Sequence, residues 1–176
     1  ASLVGIVPVL INARFQGSEI AYVARDAGVR TIITTDIVAG HVDYAGRIRE
    51  ALPNLDFPLP PVLLGGGRAE GFMDQAQFDS GATSIEPSTI DGLRRAVRGV
   101  DQGFMLYTSG TTGSPKGCLI SQTAFLRVGI EAAKRWKLSG DDRVLDPLPL
   151  FHIGGIFPLL ACLATGATFL TVTHFD

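Results

Sequence analysis

Cysteine is scarce in this sequence, with two in 176 residues, which is too few for a disulfide framework. Cys118 and Cys162 lie far apart, form no CxxC pair and have no metal-ligand spacing, so the chain carries no zinc or dithiol redox signature. Their apolar surroundings predict two buried thiols in a reducing compartment, the cytoplasm, with a disulfide left open. Charge is also sparse. Only 18% of residues are charged and the formal net charge is −2. That excludes the basic footprint of a nucleic-acid binder, and Arg94-Arg95-Ala-Val-Arg98 reads as a solvated helix face. Between Leu150 and Thr173 there is no Asp, Glu, Lys or Arg, and the one basic side chain is His152. The stretch is long enough to cross a bilayer, but Gly154, Gly155, Pro158 and Gly166 punctuate it and its tail alternates like a strand. It reads as a buried helix, a turn at Thr165-Gly166 and a buried strand, so no membrane span is expected. The sequence opens without methionine and shows no signal-peptide pattern. Repeats, low-complexity tracts and a clear linker are absent.

The remainder is a folding sequence, 46% hydrophobic and of a length that suits one domain. Short apolar runs alternate with helix-like stretches. Strands are expected at Val4–Ile11, Thr31–Thr34, Pro61–Leu64, Phe104–Tyr107, Cys118–Ile120, Arg143–Leu145 and Phe169–Val172. Helices are expected at Gly17–Ala27 with Ser18 as N-cap, Val38–Leu52, Gln122–Lys137 capped by Ser121, and Gly154–Leu163. Residues 65–100 read as a surface excursion with one short helix at Ile90–Val97. The alternation predicts an α/β fold, a mostly parallel sheet covered by helices.

One stretch stands out chemically: Tyr107-Thr-Ser-Gly-Thr-Thr-Gly-Ser-Pro-Lys-Gly117. Glycines let backbone N–H groups turn inward, hydroxyls donate further hydrogen bonds, and lysine adds a point charge. Those are the requirements of a polyphosphate grip. The Walker A pattern does not fit, because Ser-Pro separates Gly113 from Lys116 and Gly117 stands where a magnesium-binding hydroxyl belongs. Pro115 also disfavours helix at Ser114. The spacing predicts a loop between two strands rather than a helix N-terminus. The bland alternative is a Gly/Ser/Thr-rich surface turn. A lone histidine such as His152, opening an apolar helix, is by itself a packed or capping residue. His41 and His174 read as surface residues, and Asp141-Asp142 as a solvated turn.

The quoted stretch resembles the signature loop of the adenylate-forming enzymes: acyl-CoA synthetases, luciferases and peptide-synthetase adenylation domains. Pro147-Leu-Pro-Leu-Phe-His152-Ile-Gly-Gly155 resembles that family's P-x-F-H-x-x-G segment. Val7-Pro8-Val-Leu-Ile-Asn12-Ala-Arg14-Phe, followed by Glu19-Ile-Ala-Tyr22, resembles its V-P-L-N-P-R stretch and helix. Ala13 stands where proline is usual and Cys118 where valine is usual. The resemblance covers nearly the whole chain, in the family's order. It implies that residues 1–176 are a partial N-terminal adenylation domain, lacking the later acidic motif, the ribose-binding aspartate and the lysine-bearing C-terminal domain, and inactive alone.

The resemblance further implies an ATP- and magnesium-dependent ligase that converts a small-molecule carboxylic acid to an acyl-adenylate and passes it to coenzyme A, as in fatty acid metabolism. Thr108, Ser109, Gly110, Thr111, Thr112, Gly113, Ser114 and Lys116 would hold the nucleotide, and Thr108 would touch magnesium. Lys116 and His152 are the implied catalytic residues, with His152 beside the acyl site. Two alternatives remain open here. One is an adenylation domain or fatty-acyl-AMP ligase that passes the acyl group to a carrier protein. The other is a non-catalytic nucleotide-binding fragment. A homo-oligomer is also left open.

Overall fold

The computed structural model describes residues 1–108 and 113–172. A short 3-10 turn at Ser2–Val4 leads to β1 (Val9–Leu10), α1 (Gly17–Asp26), β2 (Ile33–Thr35), α2 (Tyr44–Ala51), β3 (Val62–Leu64) and β4 (Met73–Asp74). Next come α3 (Gln75–Ala82), α4 (Pro87–Ala96), β5 (Gln102–Thr108), β6 (Lys116–Ser121), α5 (Gln122–Trp136), β7 (Arg143–Asp146), α6 (Ile153–Thr165) and β8 (Thr168–Thr171). The chain forms two compact units, one of residues 13–92 and one of residues 1–12 with 93–176.

The α/β reading holds, and the pairing is mostly parallel. Strands β2-β3-β4 are parallel, as are β1-β5 and β7-β8, while β5-β6 is antiparallel. Among the described residues they form three small sheets rather than one. No helix is long and apolar enough to cross a membrane among the described residues.

Element ends depart from the sequence pattern where side chains cap them. Helix α1 starts at Gly17 as expected, but its N-cap is Gln16, two residues before the expected Ser18: Glu19 Oε2 accepts the Gln16 N–H at 2.9 Å in a capping box. Helix α2 is shorter than the apolar spacing suggests, since Asp43 accepts the Gly46 N–H at 2.8 Å and starts it late. Strand β1 keeps two residues of the expected eight-residue run. Gly5 ends the 3-10 turn at φ 80°, and Pro8 has no N–H to give the ladder. The excursion holds more order than composition suggests: α3 is capped by a reciprocal Asp74–Gln77 pair and α4 opens on Pro87. Arg94 and Arg95 lie in the last turn of α4, exposed as expected.

The unit containing β5 and β6 is held by a core of Phe104, Leu106, Ile156 and Leu160, with Leu10, Ile120, Phe125 and Ile153 against it. Phe104 and Phe125 meet edge to face, ring centroids 4.6 Å apart. Buried Gln122, the first residue of α5, donates through Nε2 to the Ser2 carbonyl at 2.9 Å. This core seats β5 under α5 and α6, so the hairpin and the α6 N-terminus are built on one support.

The cysteine expectation is half right. Both thiols are free and Cys162 is buried, but Cys118 is exposed, in a stretch of β6 from Lys116 to Leu119 that is exposed on both faces. Burial pushes the Cys162 thiol above its ordinary range, which lowers the thiolate fraction that reacts with electrophiles. A maleimide offered to the native 176-residue chain should therefore label Cys118 quickly and Cys162 only after denaturation. Peptide mass mapping checks this; equal labelling of both would contradict the placement of Cys162.

Candidate functional site

Strand β5 alternates apolar residues inward, with Phe104 and Leu106 buried, and delivers Tyr107 and Thr108 to the end of the sheet. Strand β6 returns antiparallel, in a register that sets Tyr107 against Gly117 and Thr108 against Lys116. A Cβ at Gly117 would press within 3.1 Å of the Tyr107 ring, so the glycine leaves room for the tyrosine across the ladder. The motif is thus the connection of a β-hairpin. Ser109, Gly110, Thr111 and Thr112, expected to contact phosphate, lie outside the described residues. Gly113 adopts φ +114°, a conformation essentially confined to glycine. Ser114 is exposed and Pro115 half-buried, and the chain then enters β6 directly. Thr108 and Lys116, expected in the loop, are instead the last residue of β5 and the first of β6, because the ladder continues to that pair; the lysine opens no helix, as the departure from Walker A implied.

Thr108 and Lys116 occupy directly opposed cross-strand positions, where Cβ atoms stand about 4.5–5.5 Å apart. Both side chains are exposed. Among the described residues no acidic side chain pairs with Lys116; the ion pairs lie elsewhere, at Arg68–Asp74, Arg98–Asp101 and Glu131–Lys134. The ammonium is free to meet an external anion, and the Thr108 hydroxyl stands beside it. This donor set suits a polyphosphate. It does not make a metal centre alone: among the described residues no group of three or more His, Cys, Asp or Glu could hold an ion. A magnesium ion touching Thr108 would take its remaining ligands from elsewhere, phosphate oxygens first.

His152 stands at the N-terminus of α6 as its N-cap, exposed, with Nδ1 accepting the Gly154 N–H at 3.1 Å. The capping role is the one expected of a lone histidine there. With Nδ1 used as acceptor, the neutral ring carries its proton on Nε2, which is left as a donor. The residues before it are equally fixed. His152 N–H donates to the Pro149 carbonyl at 3.0 Å. A Cβ at Gly155 would lie 2.6 Å from Pro149 O and 2.8 Å from Leu148 O, so the connector closes onto bare helix backbone. No hydrogen bond or ion pair joins His152 to Thr108, Ser114 or Lys116 among the described residues.

Asp146 was missed in the sequence. It ends β7, is only 3% exposed, and its Oδ1 accepts the Leu148 N–H at 2.9 Å while Oδ2 has no partner. A lone acid between an apolar strand and a proline was the available signal. Asp142, by contrast, is the turn residue expected: exposed, its carboxylate accepts from Ser139 N at 2.7 Å and Oγ at 2.9 Å, and these bonds hold its pKa below the usual carboxylate range.

A family model for the AMP-binding enzyme matches residues 1–176. The chain belongs to the AMP-binding enzyme family. Among curated AMP-binding relatives it is 30% identical to the 4-chlorobenzoate–CoA ligase of an Arthrobacter species, over 98% of this chain and 30% of the relative. It is 26% identical to the long-chain-fatty-acid–CoA ligase FadD13 of Mycobacterium tuberculosis H37Rv, over 100% of this chain and 32% of that one. The chain thus spans about a third of the length of these relatives. Its fold is similar to that of the O-succinylbenzoate coenzyme A synthetase MenE of Bacillus subtilis, solved with ATP and magnesium ion. That likeness has a TM-score of 0.64 at 21% identity and covers 98% of this chain and 30% of MenE.

Proposed function

We propose that the protein containing this chain activates a carboxylic acid with ATP and transfers the acyl group to coenzyme A. In the first step a carboxylate oxygen attacks the α-phosphorus of ATP; the bond to pyrophosphate breaks and an acyl-adenylate forms. In the second, the coenzyme A thiol loses its proton, its sulfur bonds to the acyl carbon, and AMP leaves. The observation that carries this reading is the β5–β6 hairpin, which sets Lys116, with no acidic partner among the described residues, opposite Thr108 at the mouth of the family's signature loop.

Thr108 to Lys116, including Ser109 to Thr112, would grip the β- and γ-phosphates, and the lysine charge would offset charge gathering on pyrophosphate. Magnesium, when bound with the nucleotide, would neutralise the phosphates and align them for displacement. Thr108 is the residue of this loop assigned to touch it. His152 would help to shape the acyl site. Both compact units are read as parts of one adenylation domain. The free thiols Cys118 and Cys162 favour a reducing compartment, the cytoplasm. Coenzyme A is preferred as acceptor because the relatives' names are those of CoA ligases.

The full-length enzyme, given ATP, magnesium and a panel of aliphatic and aromatic acids, should yield an acyl-CoA detected by mass spectrometry. Acyl transfer to a phosphopantetheinyl carrier protein, with none to coenzyme A, would replace the acceptor. The 176-residue chain alone should form no acyl-CoA above background, since it spans about a third of these relatives. Thioester turnover by the purified chain would contradict that expectation.

A further inference from the structure

The segment from Asp146 to Gly155 is tied at successive points. Asp146 Oδ1 accepts the Leu148 N–H at 2.9 Å. Pro149 O accepts the His152 N–H at 3.0 Å, and His152 Nδ1 accepts the Gly154 N–H at 3.1 Å. Leu148 O and Pro149 O both lie against Gly155, where a side chain has no room. Pro147 and Pro149 cannot donate, so between β7 and His152 the amide of Leu148 is the first that a side chain can fix. Asp146 does so from inside the protein, 97% buried by the complement of its 3% exposure.

A buried carboxylate with one bare oxygen is a costly way to end a strand. Nothing else in the segment requires an acid: the connector residues Pro147 to Leu150 are exposed, and no ion pair involves Asp146 among the described residues. Such an unsatisfied group calls for a physical reason. The one consistent with the contacts is mechanical. The carboxylate anchors the connector at its root, and the connector holds the His152 ring with Nδ1 turned to the helix and Nε2–H free.

We infer that Asp146 is a positioning residue for His152, acting through the Leu148 amide and the connector. The inference rests on the proposed role of His152 at the acyl site, but its geometric half stands apart from that role. Asp146→Ala removes the anchor. Asp146→Asn keeps an oxygen for the Leu148 N–H and serves as the rescue variant.

The test uses the full-length enzyme and two readouts. In the first, two-dimensional NMR of ring-15N-labelled histidine reports the His152 tautomer. Wild type and Asp146→Asn should show one Nε2–H tautomer, and Asp146→Ala a mixture of tautomers. The second is single-turnover acyl-adenylate formation in a double-mutant cycle with His152→Ala. Asp146→Ala should slow adenylation about tenfold beside an intact His152 and leave it nearly unchanged beside His152→Ala, the signature of one residue acting through another. An unchanged tautomer in a folded Asp146→Ala enzyme would overturn the inference, as would an equal loss in both backgrounds or a deficiency in Asp146→Asn as large as in Asp146→Ala. If instead the tautomer mixes while no acid is adenylated even by wild type, the proposed reaction fails and the positioning of His152 by Asp146 is upheld.

Discussion

Replacing Lys116 by methionine in the full-length enzyme should slow single-turnover acyl-adenylate formation about a hundredfold, or about 3 kcal/mol of transition-state stabilisation. The side chain is exposed at the first position of β6 and no acidic group pairs with it among the described residues. Among the described residues its charge therefore meets no opposite charge, and methionine keeps most of its length. The demand for a cation rises as pyrophosphate departs, so the loss should fall on the rate. The Michaelis constant for the carboxylic acid should stay close to wild type, and the melting temperature should not move, since exposed substitutions cost within about 0.5 kcal/mol. If Lys116 were a solvated turn residue, the change would be silent. An adenylation rate within about twofold of wild type would remove the phosphate role from this lysine.

The largest structural effect is expected at Gly155. An alanine there would place its Cβ 2.6 Å from Pro149 O and 2.8 Å from Leu148 O. Both are backbone atoms of a connector tied at either end, so the clash cannot be relieved by turning a side chain. Overpacking of this kind costs about 1–3 kcal/mol, and a rigid backbone contact belongs at the upper end. For a domain of this size that lowers the melting temperature by about 6–12 °C. Gly154→Ala is the control. Its Cβ would stand 3.1 Å from His152 Nδ1 and from Leu148 Cδ1, both side-chain atoms that can yield, so its melting temperature should fall far less. Thermal melts of the two variants decide the matter. Equal stability of Gly155→Ala and wild type would mean that the connector is not closed onto α6 as described.

The hairpin was legible because its signals are local. Apolar alternation marks β5, Pro115 forbids helix, and Ser121 caps α5 by accepting the Ala124 N–H at 3.3 Å. The end of α6 was legible for the same reason, with Gly166 as a left-handed C-cap at φ 78°. What misled was competition at helix starts. Gln16 and Asp43 capture backbone N–H groups that apolar spacing assigns elsewhere. The division into three small sheets was beyond reach, because β1 finds β5 from the far end of the chain and no local pattern records that choice. The same holds for Asp146: its burial is decided by what packs over the end of β7. The exposure of Cys118 comes from the first four residues of β6 being uncovered on both faces, which their apolar content does not record. In the site, sequence placed Ser114 in the connection and His152 at the head of an apolar helix, whereas Thr108 and Lys116, read as loop residues, are taken into the ends of β5 and β6, and the hydrogen bond that fixes the His152 ring emerged from the geometry alone.

The most direct test follows the phosphorus. Full-length enzyme, magnesium, α-labelled ATP and a panel of carboxylic acids are mixed without coenzyme A, quenched, and resolved into nucleotide products. An acid-dependent, labelled acyl-adenylate is expected, with pyrophosphate released in equal amount, and both are lost in the Lys116→Met enzyme on the same time scale. Formation of ADP and phosphate, or AMP release that does not depend on any acid, would contradict the proposed adenylation.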